Sequence, residues 1–151
     1  MRESTPAIGN GSPKPRVMLV DDEEFIRGLV SELLTVNGID VLTADGADAC
    51  LDHLRSGFRG VILMDLMMPD KNGWETIRDI KRAGLLQGNI IAMLTAVDAP
   101  DEGMDGLQEI VIDYITKPFI SDGFLAAVKR YLGYLDEAAQ YGEWTCSAVT
   151  C

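Results

Sequence analysis

The sequence has 151 residues, room for one domain with modest extensions, and its 47% hydrophobic and 25% charged content is that of a globular chain able to bury a core. With 13 basic against 24 acidic side chains, the net charge is −11 and the pI near 4.4, a surface that repels phosphate backbones and anionic lipid and so disfavours nucleic-acid or membrane binding. No apolar run approaches the ~20 residues of a membrane span, and Met1 to Arg16 lacks the apolar centre of a signal peptide, so a cytoplasmic location is expected.

Residues 1–15 place Pro6, Gly9, Gly11, Pro13 and Pro15 among Ser, Thr and Asn, which predicts a flexible lead-in. From Arg16 onward, short apolar runs alternate with amphipathic stretches. Val17–Val20 predicts a first strand, followed by a helix in which Phe25, Leu29 and Leu33 at i, i+4 and i+8, with Ile26, Val30 and Leu34 beside them, give one apolar stripe. Val41-Leu42 reads as a second strand; Leu51, Leu54 and Phe58 mark the next helix, in which Cys50 is a small apolar filler. Val61–Met64 is the third strand, and Trp74, Ile77 and Ile80 set the helical period after it.

Ile90–Leu94 is the fourth strand. Pro100, Asp101 and Glu102 suit a helix start, and Gly103 and Gly106 would lie inside that helix, each costing about 1 kcal/mol relative to alanine. Val111-Ile112 with Tyr114-Ile115 forms the fifth strand, and Leu125, Val128, Leu132 and Leu135 the last helical stripe. Residues 136–151 extend that helix by a turn or two, dock their aromatics, or begin a linker. Three cysteines without C-x-x-C spacing predict no disulfide framework. Five strand–helix alternations with continuous apolar strands predict an α/β domain over residues 16–135, a parallel sheet wound on both faces.

In such a sheet the functional groups gather at the carboxyl ends of the strands. These positions hold Asp21 and Asp22, Asp65, Thr95 and Lys117. In a flavodoxin-like order 2-1-3-4-5, strands one and three are neighbours and three carboxylates converge. Two like charges ~4 Å apart repel by about 4 kcal/mol at an effective dielectric of 20, so the cluster must hold a proton, a cation or a lysine. Hard oxygen donors without Cys or His favour Mg²⁺ over zinc. Carboxylate, Mg²⁺, hydroxyl and ammonium together are the parts for phosphoryl transfer. Taken singly, Asp21 and Asp22 read equally well as helix caps and Lys117 as a surface lysine. His53 reads as a partly exposed structural residue, and the chain has no Gly-rich nucleotide motif.

Val20-Asp21-Asp22-Glu23, Met64-Asp65-Leu66-Met67-Met68-Pro69-Asp70 with Asn72-Gly73, Leu94-Thr95-Ala96, and Tyr114-Ile115-Thr116-Lys117-Pro118-Phe119 resemble, in order and spacing, the receiver domain of two-component response regulators in a single-domain, chemotaxis-regulator-like arrangement. The resemblance implies that Asp65 accepts a phosphoryl group and that Asp21, Asp22, Asp65 and the Met67 carbonyl hold Mg²⁺. It implies that Thr95 hydrogen-bonds the transferred group, Lys117 neutralises it across a cis Lys117-Pro118 bond, and Tyr114 changes rotamer as the switch. Ala96, Val97 and Pro118 neighbour the pocket. Apolar Met67 and Val97 flank the path of a hydrolytic water, so slow self-dephosphorylation is expected.

The donor implied is a histidine kinase or phosphotransfer protein and the target another protein, with no nucleic acid or membrane; the chain would be a monomer or a phosphorylation-linked homodimer. It would be a signalling domain rather than an enzyme. The alternatives are a phosphorylation-independent interaction module or a receiver fragment of a hybrid sensor kinase. One departure stands out: where receivers read Gly-Ala-Asp-Asp-Tyr, this chain has Ile110-Val111-Ile112-Asp113-Tyr114.

Overall fold

The computed structural model describes residues 15–96, 106–116 and 122–141. Five strands, β1 (Val17–Val20), β2 (Val41–Ala44), β3 (Val61–Asp65), β4 (Ile90–Thr95) and β5 (Val111–Thr116), form one parallel sheet in the order β2-β1-β3-β4-β5. The helices are α1 (Glu24–Val36), α2 (Ala47–Arg55), α3 (Gly73–Arg82) and α4 (Asp122–Tyr141). This is the flavodoxin-like arrangement expected from the alternation of strands and helices. No helix among the described residues is long and apolar enough to cross a membrane.

The period-2 alternation of the strands divides the core into two layers. Met18, Val20, Ile62, Met64, Ile91 and Met93 face α2 and α3, meeting Cys50, Leu51, Leu54, Trp74, Ile77 and Ile80. Val17, Leu19, Val61, Leu63, Ala92 and Leu94 face the other way, against Val30 and Leu34 of α1 and Phe124, Val128 and Tyr131 of α4. Both faces of the central strands are thus buried, which is why they read as unbroken apolar runs.

Two expectations need correction, and one open reading is decided. The buried seam of α1 is Ile26–Val30–Leu34 with Leu33 alongside, whereas Phe25 is 74% exposed and Leu29 is also exposed. Phe25 and Leu29 each stand one residue, about 100° around the helix, from Ile26 and Val30, and fall on its solvent side. The family-like helix was expected to contain Gly106; instead Gly106 has φ +81° and precedes a short 3₁₀ turn, Leu107–Glu109. A left-handed glycine therefore stands four residues ahead of the family's usual position. Pro100 and Gly103 lie outside the described residues. Finally, α4 carries the helix beyond Leu135 to Tyr141, the extension by a turn or two that was one of three readings of the tail. Arg16 at the start of β1 pairs with Asp136 on that extension at 2.6 Å.

The β4–β5 ladder slips once. Ile91 pairs with Val111 but Ala92 pairs with Asp113, leaving Ile112 as an extra residue. Because side chains alternate faces, one inserted residue inverts everything after it. Asp113 consequently faces α4, where its carboxylate accepts the Tyr131 hydroxyl at 2.5 Å and lies 3.4 Å from Arg130 Nη2. Tyr114 faces α3.

Candidate functional site

Two buried carboxylates stand at the carboxyl edge of the two central strands. Asp21 follows β1, fully buried; its amide donates to the Ala44 carbonyl at 3.1 Å, prolonging the β1–β2 ladder by one residue. One Asp21 oxygen, Oδ1, accepts the Glu23 amide at 2.9 Å, and Arg27 Nη1 donates to the Asp21 carbonyl at 2.7 Å. The capping reading of Asp21 and Asp22 is not met: the N-cap of α1 is Glu23, which has no side-chain cap, and Asp21 instead accepts the amide of Glu23 itself and so holds the turn that leads into the helix. Asp65 ends β3, buried, with Oδ1 accepting the Met67 amide at 3.3 Å. Asp22 is exposed beside them. One carboxylate oxygen from each of Asp21, Asp22 and Asp65 lies within 4.8 Å of the others.

Three formal negative charges at that spacing repel by about 3.5 kcal/mol per pair at an effective dielectric of 20, less for the pairs involving solvent-screened Asp22. Burying two carboxylates side by side works against stability unless they are paired or hold a cation. The donor set is three hard oxygens without nitrogen or sulfur, which suits a small divalent cation of the Mg²⁺ or Ca²⁺ type.

The segment after Asp65 is tightly tied down. Leu66 donates its amide to Leu94 at 2.9 Å and accepts the Gly73 amide at 2.9 Å, so the Leu66–Asn72 loop closes on itself. Asp70 sits at φ 68° in a three-residue turn closed by the Lys71 amide on the Pro69 carbonyl at 2.7 Å. Asn72 and Glu75 form a capping box with bonds of 2.9 and 2.8 Å, which starts α3. A Cβ on Gly73 would stand 2.9 Å from the Asp65 carbonyl oxygen and from Met93 Sδ, and 3.0 Å from Leu66 Cα. Only glycine lets α3 start this close to the carboxylate-bearing strand end.

Of the other expected residues, Thr95 ends β4, half-buried, its hydroxyl donating to the Ala96 carbonyl at 3.0 Å. Met67 is 54% and Tyr114 45% exposed. Tyr114 packs against Trp74, ring centroids 6.3 Å apart and planes tilted by 52°. Val97, Lys117 and Pro118 lie outside the described residues. His53 is half-buried, its Nε2 3.0 Å from the Thr43 carbonyl, consistent with a structural role. From the sequence, Gly73 was read only as part of the motif after Asp65 and Trp74 only as part of a helical period, and Arg27 was not read at all. Asn72-x-x-Glu75 was a visible signal for the start of α3, whereas the arginine and the tryptophan acquire their roles only through tertiary contact.

Residues 17–129 match the model of the response regulator receiver domain. A CheY-like response regulator receiver domain protein from Methanospirillum hungatei superposes with a TM-score of 0.78 at 44% identity, covering 81% of this chain and 97% of that one. The phosphate regulon transcriptional regulatory protein PhoB of Escherichia coli is 32% identical over 117 residues, 78% of this chain and 51% of the relative. The transcriptional regulatory protein DltR of Streptococcus agalactiae is 32% identical over 114 residues, 76% and 50% respectively. The chain spans about half the length of these curated relatives. Motif order, sheet topology and the family match agree, and the chain belongs to the response regulator receiver domain family.

Proposed function

We propose that Asp65 accepts a phosphoryl group from a histidine kinase or histidine phosphotransfer protein and that the domain signals by a change in its protein-binding surface. The observation that carries this reading is the convergence of Asp65 with Asp21 and Asp22 within 4.8 Å at the edge of the two central strands. In the transfer an Asp65 carboxylate oxygen attacks phosphorus, the donor's N–P bond breaks with its electron pair going to the imidazole nitrogen, and an aspartyl phosphate remains. Asp65 is held for attack by the Met67 amide on Oδ1 and by the clamp of Gly73 on Leu66.

Asp21, Asp22, Asp65 and the Met67 carbonyl would hold Mg²⁺, which when bound offsets the negative charge of carboxylates and phosphoryl oxygens. Lys117 supplies a further positive charge. Thr95 exchanges its bond to the Ala96 carbonyl for one to a phosphoryl oxygen, and Tyr114 follows. The half-exposed Met67, unable to orient a water by hydrogen bonding, slows hydrolysis of the aspartyl phosphate together with Val97. A protein partner for the output fits the net charge of −11, which repels nucleic-acid phosphates. Treatment with Mg²⁺ and acetyl phosphate, followed by a Phos-tag gel, should retard the wild type and leave Asp65→Asn unretarded. Equal retardation of both would place the acceptor elsewhere.

A further inference from the structure

Trp74 opens α3 directly after the Gly73 contact with the Asp65 and Leu66 backbone, so its position is coupled to the acceptor loop. Its side chain is 2% exposed, yet its indole Nε1 has no hydrogen-bond partner among the described residues. A buried donor without an acceptor costs free energy, and one kept in a native domain calls for an explanation. Its ring packs against that of Tyr114, 6.3 Å away between centroids. The inserted residue Ile112 turns Tyr114 onto the α3 face, in register with Met93, whose sulfur also abuts Gly73. Tyr114 is 45% exposed, so its ring can move without opening the core.

We propose that Trp74 is the positioning residue of the Tyr114 switch, its buried indole N–H gaining the tyrosine hydroxyl oxygen as an acceptor when Tyr114 moves in the activated state. The inference rests on the reading of Asp65 as acceptor and adds a second route from it, through Gly73 and α3, beside the route through Thr95. In the described state Tyr114 rests against the indole by ring contact. In the activated state the same indole holds it by a hydrogen bond, so Trp74 favours the moved position and ties it to the acceptor loop.

The test uses ¹H–¹⁵N spectra of the full chain carrying Trp144→Phe, in which Trp74 gives the sole indole signal. Adding Mg²⁺ with beryllofluoride should move the Trp74 indole proton downfield and slow its exchange with solvent, while the Met67 amide, bonded to Asp65, also moves. Tyr114→Phe keeps the ring and removes the hydroxyl; it should abolish the indole shift and leave the Met67 shift intact. An indole signal that stays still while Met67 moves overturns the inference and leaves the acceptor site standing, as does an indole shift that survives Tyr114→Phe. If neither Met67 nor Trp74 responds, the acceptor reading fails and the inference falls with it.

Discussion

Replacing Gly73 by alanine sets two effects of known size against each other. Alanine is favoured over glycine inside a helix by up to about 1 kcal/mol, and less at the first helical position. Against this, the new methyl would lie 2.9 Å from the Asp65 carbonyl oxygen and Met93 Sδ and 3.0 Å from Leu66 Cα, where contacts of 3.4–4 Å are ordinary. Two of those three atoms are backbone, so no rotamer change relieves the crowding. Overpacking of this kind costs about 1–3 kcal/mol. The net expectation is a loss of about 0.5–2 kcal/mol, hence a Tm lower by about 2–8 °C for a domain of this size. The displaced backbone atoms belong to Asp65, the proposed acceptor, and its neighbour Leu66, so the phosphorylation rate with acetyl phosphate should fall as well.

Gly28 supplies the control: it lies exposed on α1, and a Cβ there meets nothing within 4 Å. Gly28→Ala should gain up to about 1 kcal/mol and leave phosphorylation unchanged. Calorimetry and a Phos-tag time course on the two variants decide the matter. If Gly73→Ala is stabilised as much as Gly28→Ala, the close approach of α3 to the acceptor strand is not the constraint described.

Four further outcomes are expected. Mg²⁺ at about a hundred times its Kd should stabilise the wild type by about 2.7 kcal/mol, and Asp21→Asn should remove most of that increment in urea titrations; an undiminished increment would separate the cation from the carboxylate cluster. Met67→Asn should speed release of phosphate from the phosphorylated domain by about tenfold or more, because a positioned water-orienting contact contributes about 10²-fold or more and an introduced one recovers part of it; an unchanged rate would show that Met67 does not guard the water path. Burial first, then the bond to Asp113, raises the Tyr131 hydroxyl above its ordinary value near 10. The unfolded phenol then ionises first, so stability is full below about pH 10 and falls as pH rises further; Tyr131→Phe should flatten that fall in denaturant midpoints. Burial pushes the Cys50 thiol up to about 12, so in a Cys146→Ser, Cys151→Ser background it should resist iodoacetamide near neutral pH until the domain unfolds; rapid native labelling would contradict its burial.

The strands were legible because burial on both faces leaves unbroken apolar runs ending in polar residues, and the run ends named Asp21, Asp65 and Thr95 directly. Part of the α1 stripe was misread because Phe25 and Leu29 are as apolar as Ile26 and Val30, and apolar character alone does not show which of two adjacent residues docks on the sheet. Gly106 was misplaced because a glycine inside a helical pattern and a glycine in a left-handed turn look alike until φ is known. The inserted Ile112 left no local mark: Val111–Ile115 fits either register, and only pairing with β4 shows that Tyr114 faces Trp74 and Asp113 faces Tyr131. The carboxylate cluster is thus written locally at strand ends, whereas the groups that pack around it depend on tertiary contacts.

The central claim is that Asp65 carries the phosphoryl group. Borohydride reduces an aspartyl phosphate to homoserine, so treatment of the acetyl phosphate-reacted, Mg²⁺-loaded protein followed by peptide mass spectrometry identifies the acceptor by position. Homoserine at position 65, absent without Mg²⁺ and absent in Asp65→Asn, is the expected result. Homoserine at position 21 or 22, or at no position while the protein is demonstrably phosphorylated, would contradict it.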